Sequence, residues 1–261
     1  MTQIIKRNNW AIWRDVIFAL FVREIRTGFN DKFGIAWSVV NPVAFIFILS
    51  FVRGRMDGGE THTIPTFAFM ALGLILIQFF LETVNSTSNA IKKNKALFAF
   101  RQVQPISSVL ASALFVLLVK VFVCIVIMLI MYFLKMEIRI DDPLELIAVF
   151  ILVWFTSVSV GIIFAISSCF VPETDKVKGL LLRPFFFISG VFFSLQDFPQ
   201  MMWKYLDWNP MLHAIELARY SAYGSYGNAG VSFGYLTGVT ICLSFLALAS
   251  YQGYWKQAIS R

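Results

Sequence analysis

Apolar positions along this chain fall into six blocks, at residues 35–52, 64–84, 106–134, 144–171, 180–195 and 233–252. Most of them approach the roughly 20 residues that an α-helix needs to cross a bilayer. The pattern predicts an all-α membrane protein with six transmembrane helices. The fifth block is short, so neighbouring protein rather than lipid completes its end. Ahead of the first block the periodicity changes. On a helical wheel Trp10, Trp13, Ile17, Leu20, Phe21 and Ile25 share one face and Asp15, Arg23 and Arg26 the other, with Arg14 and Glu24 interrupting the apolar side. Such a helix lies in the interface plane, rings at headgroup depth and charges toward water. Gly28, Asn30 and Asp31 supply a turn into the first span. The expected layout is an interface helix and turn at 1–34, one six-span domain at 35–252 and a tail at 253–261.

Composition sharpens this picture. Hydrophobic residues make up 58% of the 261 positions and charged ones 14%, against about 25% charged in soluble domains. An even number of spans puts both termini on one side. Of the 22 Lys and Arg, 15 fall in the segments on the N-terminal side and 6 on the other. That excess places both termini in the cytoplasm. The net charge of +7 is mostly this asymmetry; membrane lipid or an anionic substrate could also use it. No basic stripe is interleaved with stacking aromatics outside the membrane, which argues against nucleic acid. Cys124, Cys169 and Cys242 sit in apolar blocks without a CxxC pair and read as packing residues. The N-terminal run "VIFALFV" is short and no cleavage site follows, so the segment is expected to stay attached.

The connection "NSTSNAIKKNKALFAFRQVQP" carries more than a loop needs. Ser86 to Ser88 offer N-caps for a short helix, followed by Lys92, Lys93 and Lys95 and then Leu97, Phe98 and Phe100. Exposed apolar residues ringed by cations mark a docking surface; packing against the chain's own interface helix is the competing reading. The same choice holds for Arg23, Glu24 and Arg26, which serve either as a topology signal or as a rigid platform for a partner.

The stretches "LFVREIRTGF", "NKALFAFRQVQPI" and "LDWNPMLHAIELAR", in that order, resemble the membrane subunit of capsular polysaccharide ABC exporters of the KpsM type, among the type 2 ABC permeases. The resemblance runs over nearly the whole chain. It implies six transmembrane helices, an N-terminal interface helix, a cytoplasmic coupling helix between spans two and three, and periplasmic re-entrant helices before the last span. It implies a homodimer in the bacterial inner membrane driven by two separate ATP-binding subunits, which bind the ATP and magnesium. It also implies a periplasmic co-polymerase and an outer-membrane export protein as partners, and a lipid-linked anionic polysaccharide as cargo. The chain lacks a GxxxxGK[ST] phosphate loop, so this sequence supplies no ATPase and no cofactor site of its own. "SNAIKKNKALFAF" matches the coupling position, which makes Lys92, Lys93, Lys95, Leu97 and Phe98 candidates for the ATPase cleft, flanked by Arg23, Glu24 and Arg26.

A polymer needs a wet route with rings for sugar faces. Trp37, Asn41 and Phe45 recur at four-residue spacing in the first span, beside Pro42; a kinked packing helix is the bland alternative. Gln78, Glu82 and Asn85 form a polar stripe in the second span, and Lys120, midway through the third, must snorkel, pair or line a cavity. Glu82 is its possible partner. Ser157, Gly161, Ala165 and Ser168 give the fourth span a small-residue face for close packing. In "RPFFFISGVFFSL", Arg183 and Phe187 belong either to an aromatic path wall or to a lipid or dimer contact. Trp203, Tyr205 and Trp208 suit an interfacial belt. After Asn209-Pro210, a helix start, His213, Glu216 and Arg219 share one face as an ion-pair staple. The resemblance places Trp208, Asn209, Pro210 and this triad at the periplasmic gate.

Competing functions are a permease for O-antigen or teichoic polymer, a small-molecule permease, and a membrane acyl- or glycosyltransferase. Against the enzyme stand two histidines only, His62 and His213, no HxxxxD or metal-ligand spacing and no paired acids. An ion-coupled transporter would need intramembrane carboxylates, of which Glu82 is the one near a core.

Overall fold

The computed structural model describes residues 8–29, 34–56, 58–100 and 102–260. The described residues form nine α-helices: α1 (Asn9–Phe29), α2 (Gly34–Met56), α3 (Thr66–Lys93), α4 (Pro105–Phe133), α5 (Pro143–Phe170), α6 (Thr174–Ile188), α7 (Gln200–Trp203), α8 (Pro210–Ala222) and α9 (Phe233–Ser260). A small antiparallel hairpin, β1 (Glu60–Thr61) and β2 (Ile64–Pro65), joins α2 to α3. Its turn, His62-Thr63, takes positive φ at both residues, the twist that two-residue hairpins favour.

Five helices, α2, α3, α4, α5 and α9, are long and apolar enough to cross a membrane. The fifth apolar block departs from expectation. Helix α6 starts earlier than residue 180 and ends at Ile188 after 15 residues. Ser189 donates to the Phe185 carbonyl at 2.6 Å, and Gly190 then turns the chain with φ of +76°. Hydropathy counts the apolar residues beyond this bend as one block, but the backbone does not continue through them. Two further boundaries shift. Helix α9 continues through the expected tail to Ser260. Asn30 and Asp31, assigned to the turn before the first span, lie outside the described residues.

Helix starts follow local chemistry. Pro105, Pro143 and Pro210 each open a helix, where the missing N–H breaks no bond. Asp142 and Asn209 cap theirs, accepting from the Glu145 and Met211 amides at 3.0 and 2.9 Å. Helix α3 is the centre of the molecule, packed by α2, α4, α5 and α8, with Phe69, Leu74, Leu76, Ile77 and Phe79 buried. The small-residue face of α5 lies against it. A Cβ added to Gly161 would stand 1.7 Å from Thr87 Oγ1, so the backbones meet where glycine permits. Hydroxyl pairs join α5 to α9, Thr156 to Thr240 at 2.8 Å and Ser159 to Ser244 at 3.0 Å. The outer faces of α2 and α9 are exposed.

Candidate functional site

Polar chemistry gathers at two ends of the bundle. At the first, α3 runs unbroken past the expected short-helix start. Thr87 and Ser88 donate to the carbonyls of Thr83 and Asn85 at 2.6 and 3.1 Å, so their hydroxyls are satisfied inside a helix rather than capping a new one. The helical segment that follows is a single 3-10 turn, Lys95–Ala99. Successive helix positions point about 100° apart at 3.6 residues per turn, and three neighbours exploit this. Lys92 Nζ donates to Asp175 Oδ2 of α6 at 2.6 Å, Lys93 Nζ to Glu24 Oε2 of α1 at 2.6 Å, and Asn94 Oδ1 accepts from the Arg23 guanidinium.

Of the two readings for this segment, Glu24 follows neither, being turned to Lys93, while Arg23 keeps 39% of its side chain exposed as it holds Asn94. Glu24 is buried, because it interrupts the apolar face that turns inward, and Lys93 meets it there. Arg26 and Lys95 are exposed, Leu97 and Phe98 half-buried, and Phe100 exposed. Phe98 packs against the apolar cluster of α5 and α9 beside Ile106 and Tyr251. One further pair was not legible: buried Lys178 donates to Ser88 Oγ at 2.7 Å.

The residues read as a path do not converge in one chain. Trp37, Asn41 and Phe45 form an exposed stripe on α2, opposite buried Pro42. Arg183 and Phe187, one turn apart, are exposed on α6. Lys120 is separate from both. It is enclosed, and its Nζ donates to Glu82 Oε1 at 2.8 Å and Gln78 Oε1 at 3.4 Å. Lys120 stands at the wall of a cavity of about 440 Å³ between α3, α4 and α5, otherwise lined by residues such as Phe79, Leu117, Met131 and Phe150.

At the second end, α8 is buried against α3, α5 and α9. Asn209 caps it and donates from Nδ2 to the Ile188 carbonyl and Ser189 Oγ at 3.2 and 3.1 Å. Glu216 and Arg219 pair at 3.0 Å, fully enclosed. Tyr226 OH donates to Glu216 at 2.9 Å and Ser194 Oγ donates to it at 3.1 Å. Burial raises the Glu216 carboxyl, opposed first by Arg219, and burial raises the Tyr226 phenol. His213 shares the face in sequence but not the ion pair. Its Nδ1 accepts from the Ser232 amide at 3.0 Å and its Nε2 donates to the Asp207 carbonyl at 2.6 Å. That pattern requires the neutral ring, and burial lowers its pKa below the ordinary histidine value. Tyr205 and Trp208 are exposed beside this network. Ser194 and Tyr226 escaped the sequence reading because neither stands in the helical register of α8.

Residues 15–223 match the family model described as ABC-2 type transporter. The chain is 34% identical over 247 residues to the polysialic acid transport protein KpsM of Escherichia coli, covering 94% of this chain and 96% of that one. It is 24% identical over 229 residues to the capsule polysaccharide export inner-membrane protein CtrC of Neisseria meningitidis serogroup B, covering 86% of each.

Proposed function

The chain belongs to the ABC-2 type transporter family, and from that premise we propose that it is the permease subunit of an ATP-driven exporter of lipid-linked, anionic capsular polysaccharide. The observation that carries this reading is the likeness to the polysialic acid transport protein over 94% of the chain. The subunit transports and does not hydrolyse ATP; ATP and magnesium are bound by a separate nucleotide-binding partner. In this reading α1 lies in the interface plane, α6 is a shorter sixth crossing, and α7 and α8 form the re-entrant element on the periplasmic side. Both termini are cytoplasmic in this reading, which the Lys and Arg asymmetry supports.

Two such subunits pair, and the exposed stripe of Trp37, Asn41 and Phe45, with Arg183 and Phe187 on α6, faces the shared path. Rings and an amide at one-turn spacing suit alternating apolar and hydroxylated sugar faces. The 3-10 turn Lys95–Ala99 presents Lys95, Leu97 and Phe98 to the ATPase cleft, and Arg26, exposed on α1, flanks that cleft. Beyond the membrane a co-polymerase and an outer-membrane export protein receive the polymer.

The test is co-purification with candidate ATP-binding subunits from bacterial inner membranes. Wild type is expected to retain an ATPase, and Leu97→Asp with Phe98→Asp to lose it while remaining inserted. Wild type that retains none sinks the reading. Trp37→Ala and Asn41→Ala are expected to keep the ATPase bound yet export less capsule polymer.

A further inference from the structure

Helix α6 is tied to α3 at its start and to α8 at its end. Asp175 Oδ2 accepts from Lys92 Nζ at 2.6 Å, and buried Lys178 donates to Ser88 Oγ at 2.7 Å. Ser88 and Lys92 stand one turn apart on α3, as Asp175 and Lys178 do on α6, so the two contacts form a clasp of fixed register. At the far end, the Asn209 side chain that caps α8 holds Ile188 and Ser189. Just beyond, Arg219 donates to the Val191 and Phe193 carbonyls at 3.0 and 3.3 Å. Between these ties, α6 is a single helix of 15 residues with Pro184 inside it, roughly 22 Å at 1.5 Å per residue.

We propose that Asp175 and Lys178 are positioning residues for energy coupling: their clasp makes α6 move with the ATPase-facing end of α3, and α6 carries that movement to the cap of α8. The inference rests on the reading that an ATPase docks at Lys95–Ala99. Stability alone gives a poor account of the clasp. Its exposed half, Lys92 with Asp175, belongs to a class of pairs worth about 0–1 kcal/mol. Its buried half encloses the Lys178 ammonium, 3.8 Å from Asp175 Oδ1, and buried ion pairs are weak evidence for stability, best attested as devices that fix register. Lys93, the next residue along, holds α1 through Glu24, so a displacement of this end of α3 is delivered to both helices.

The experiment uses the two-subunit complex in inner-membrane vesicles and reads bound ATPase, ATP hydrolysis and polymer export together. Asp175→Lys repels Lys92, whereas Asp175→Asn still accepts its hydrogen bond. Asp175→Lys, which also sets a cation beside the buried Lys178 ammonium, is expected to stay inserted and keep a hydrolysing ATPase while export falls about tenfold, within the usual span of coupling effects. Asp175→Asn should export within about twofold of wild type. Likewise Lys178→Gln, able to donate to Ser88, should export where Lys178→Met does not. Wild-type export from Asp175→Lys overturns the inference, as does equal loss in Asp175→Lys and Asp175→Asn. Loss of the bound ATPase from Asp175→Lys also overturns it, by making Asp175 a docking contact. If wild type itself holds no ATPase, the functional reading fails and the inference falls with it.

Discussion

The guanidinium of Arg219 lies 3.4 Å from the centroid of the Phe69 ring, one on α8 and the other on α3. The same group donates to the Phe69 carbonyl at 3.2 Å and to Glu216 at 3.0 Å. A planar fork with five donors serves a stacked ring and several acceptors at once, which an ammonium does not. Arg219→Met leaves Glu216 buried without its partner, and removal of one member of such a pair costs about 3–5 kcal/mol. Arg219→Lys should recover only part of that loss. Thermal melts of detergent-purified protein check the order wild type, Lys, Met.

Space decides the fate of Gly161. An added Cβ would meet Thr87 Oγ1 at 1.7 Å, and overpacking of this kind costs about 1–3 kcal/mol. Gly161→Ala should therefore lower the melting temperature, and a second change, Thr87→Ala, should restore only part of it, since the Thr87 Cβ that alanine keeps would still stand 2.8 Å away. Gly179→Ala, with nothing within 4 Å, should leave it unchanged or raise it, since alanine favours helix.

Lys120 and Glu82 are expected to behave as a unit. Lys120→Met leaves Glu82 half exposed to solvate itself, whereas Glu82→Met strands an enclosed ammonium and should cost about 3–5 kcal/mol. The double Met variant should be near wild type. A double-mutant cycle on thermal stability reads the coupling directly.

His213 gives the protein an acid sensitivity with a defined sign. Its folded pKa lies below the unfolded value of 6.5, so the stability linked to its neutral form is present above that value and is lost as pH falls below it. Wild type should melt progressively earlier between about pH 7 and pH 5, around the ordinary histidine range. His213→Gln, which does not titrate, should lose that part of the slope. Melts across the pH series for both proteins test it.

Much of this architecture was legible in the chain because lipid enforces it. Helix α4 and helix α5 had to be helices once their apolar runs exceeded bilayer thickness. Glu82 was named as the partner of Lys120 because a cation at that depth requires one. What failed to show was governed by backbone detail or by sequence-distant contact. Hydropathy is blind to the bend at Ser189-Gly190, since phenylalanines continue on either side of it. The run Ser86 to Ser88 looked like a cap because capping residues also fit inside a helix when they donate to the preceding turn. Glu24 was seen to spoil an apolar face, but that Lys93 fills the flaw depends on two helices meeting 69 residues apart.

The unbroken run of α3, 28 residues from the hairpin to Lys93, spans roughly 42 Å at 1.5 Å per residue. A joint at Ser86 would have let either extremity settle on its own; without one, the two watery faces of the protein share a single beam. Whatever touches the His62-Thr63 tip leans on the same piece of backbone that carries Lys92 and Lys93 at its other end. Linkage runs both ways, so a load placed on either extremity of α3 is felt at the other.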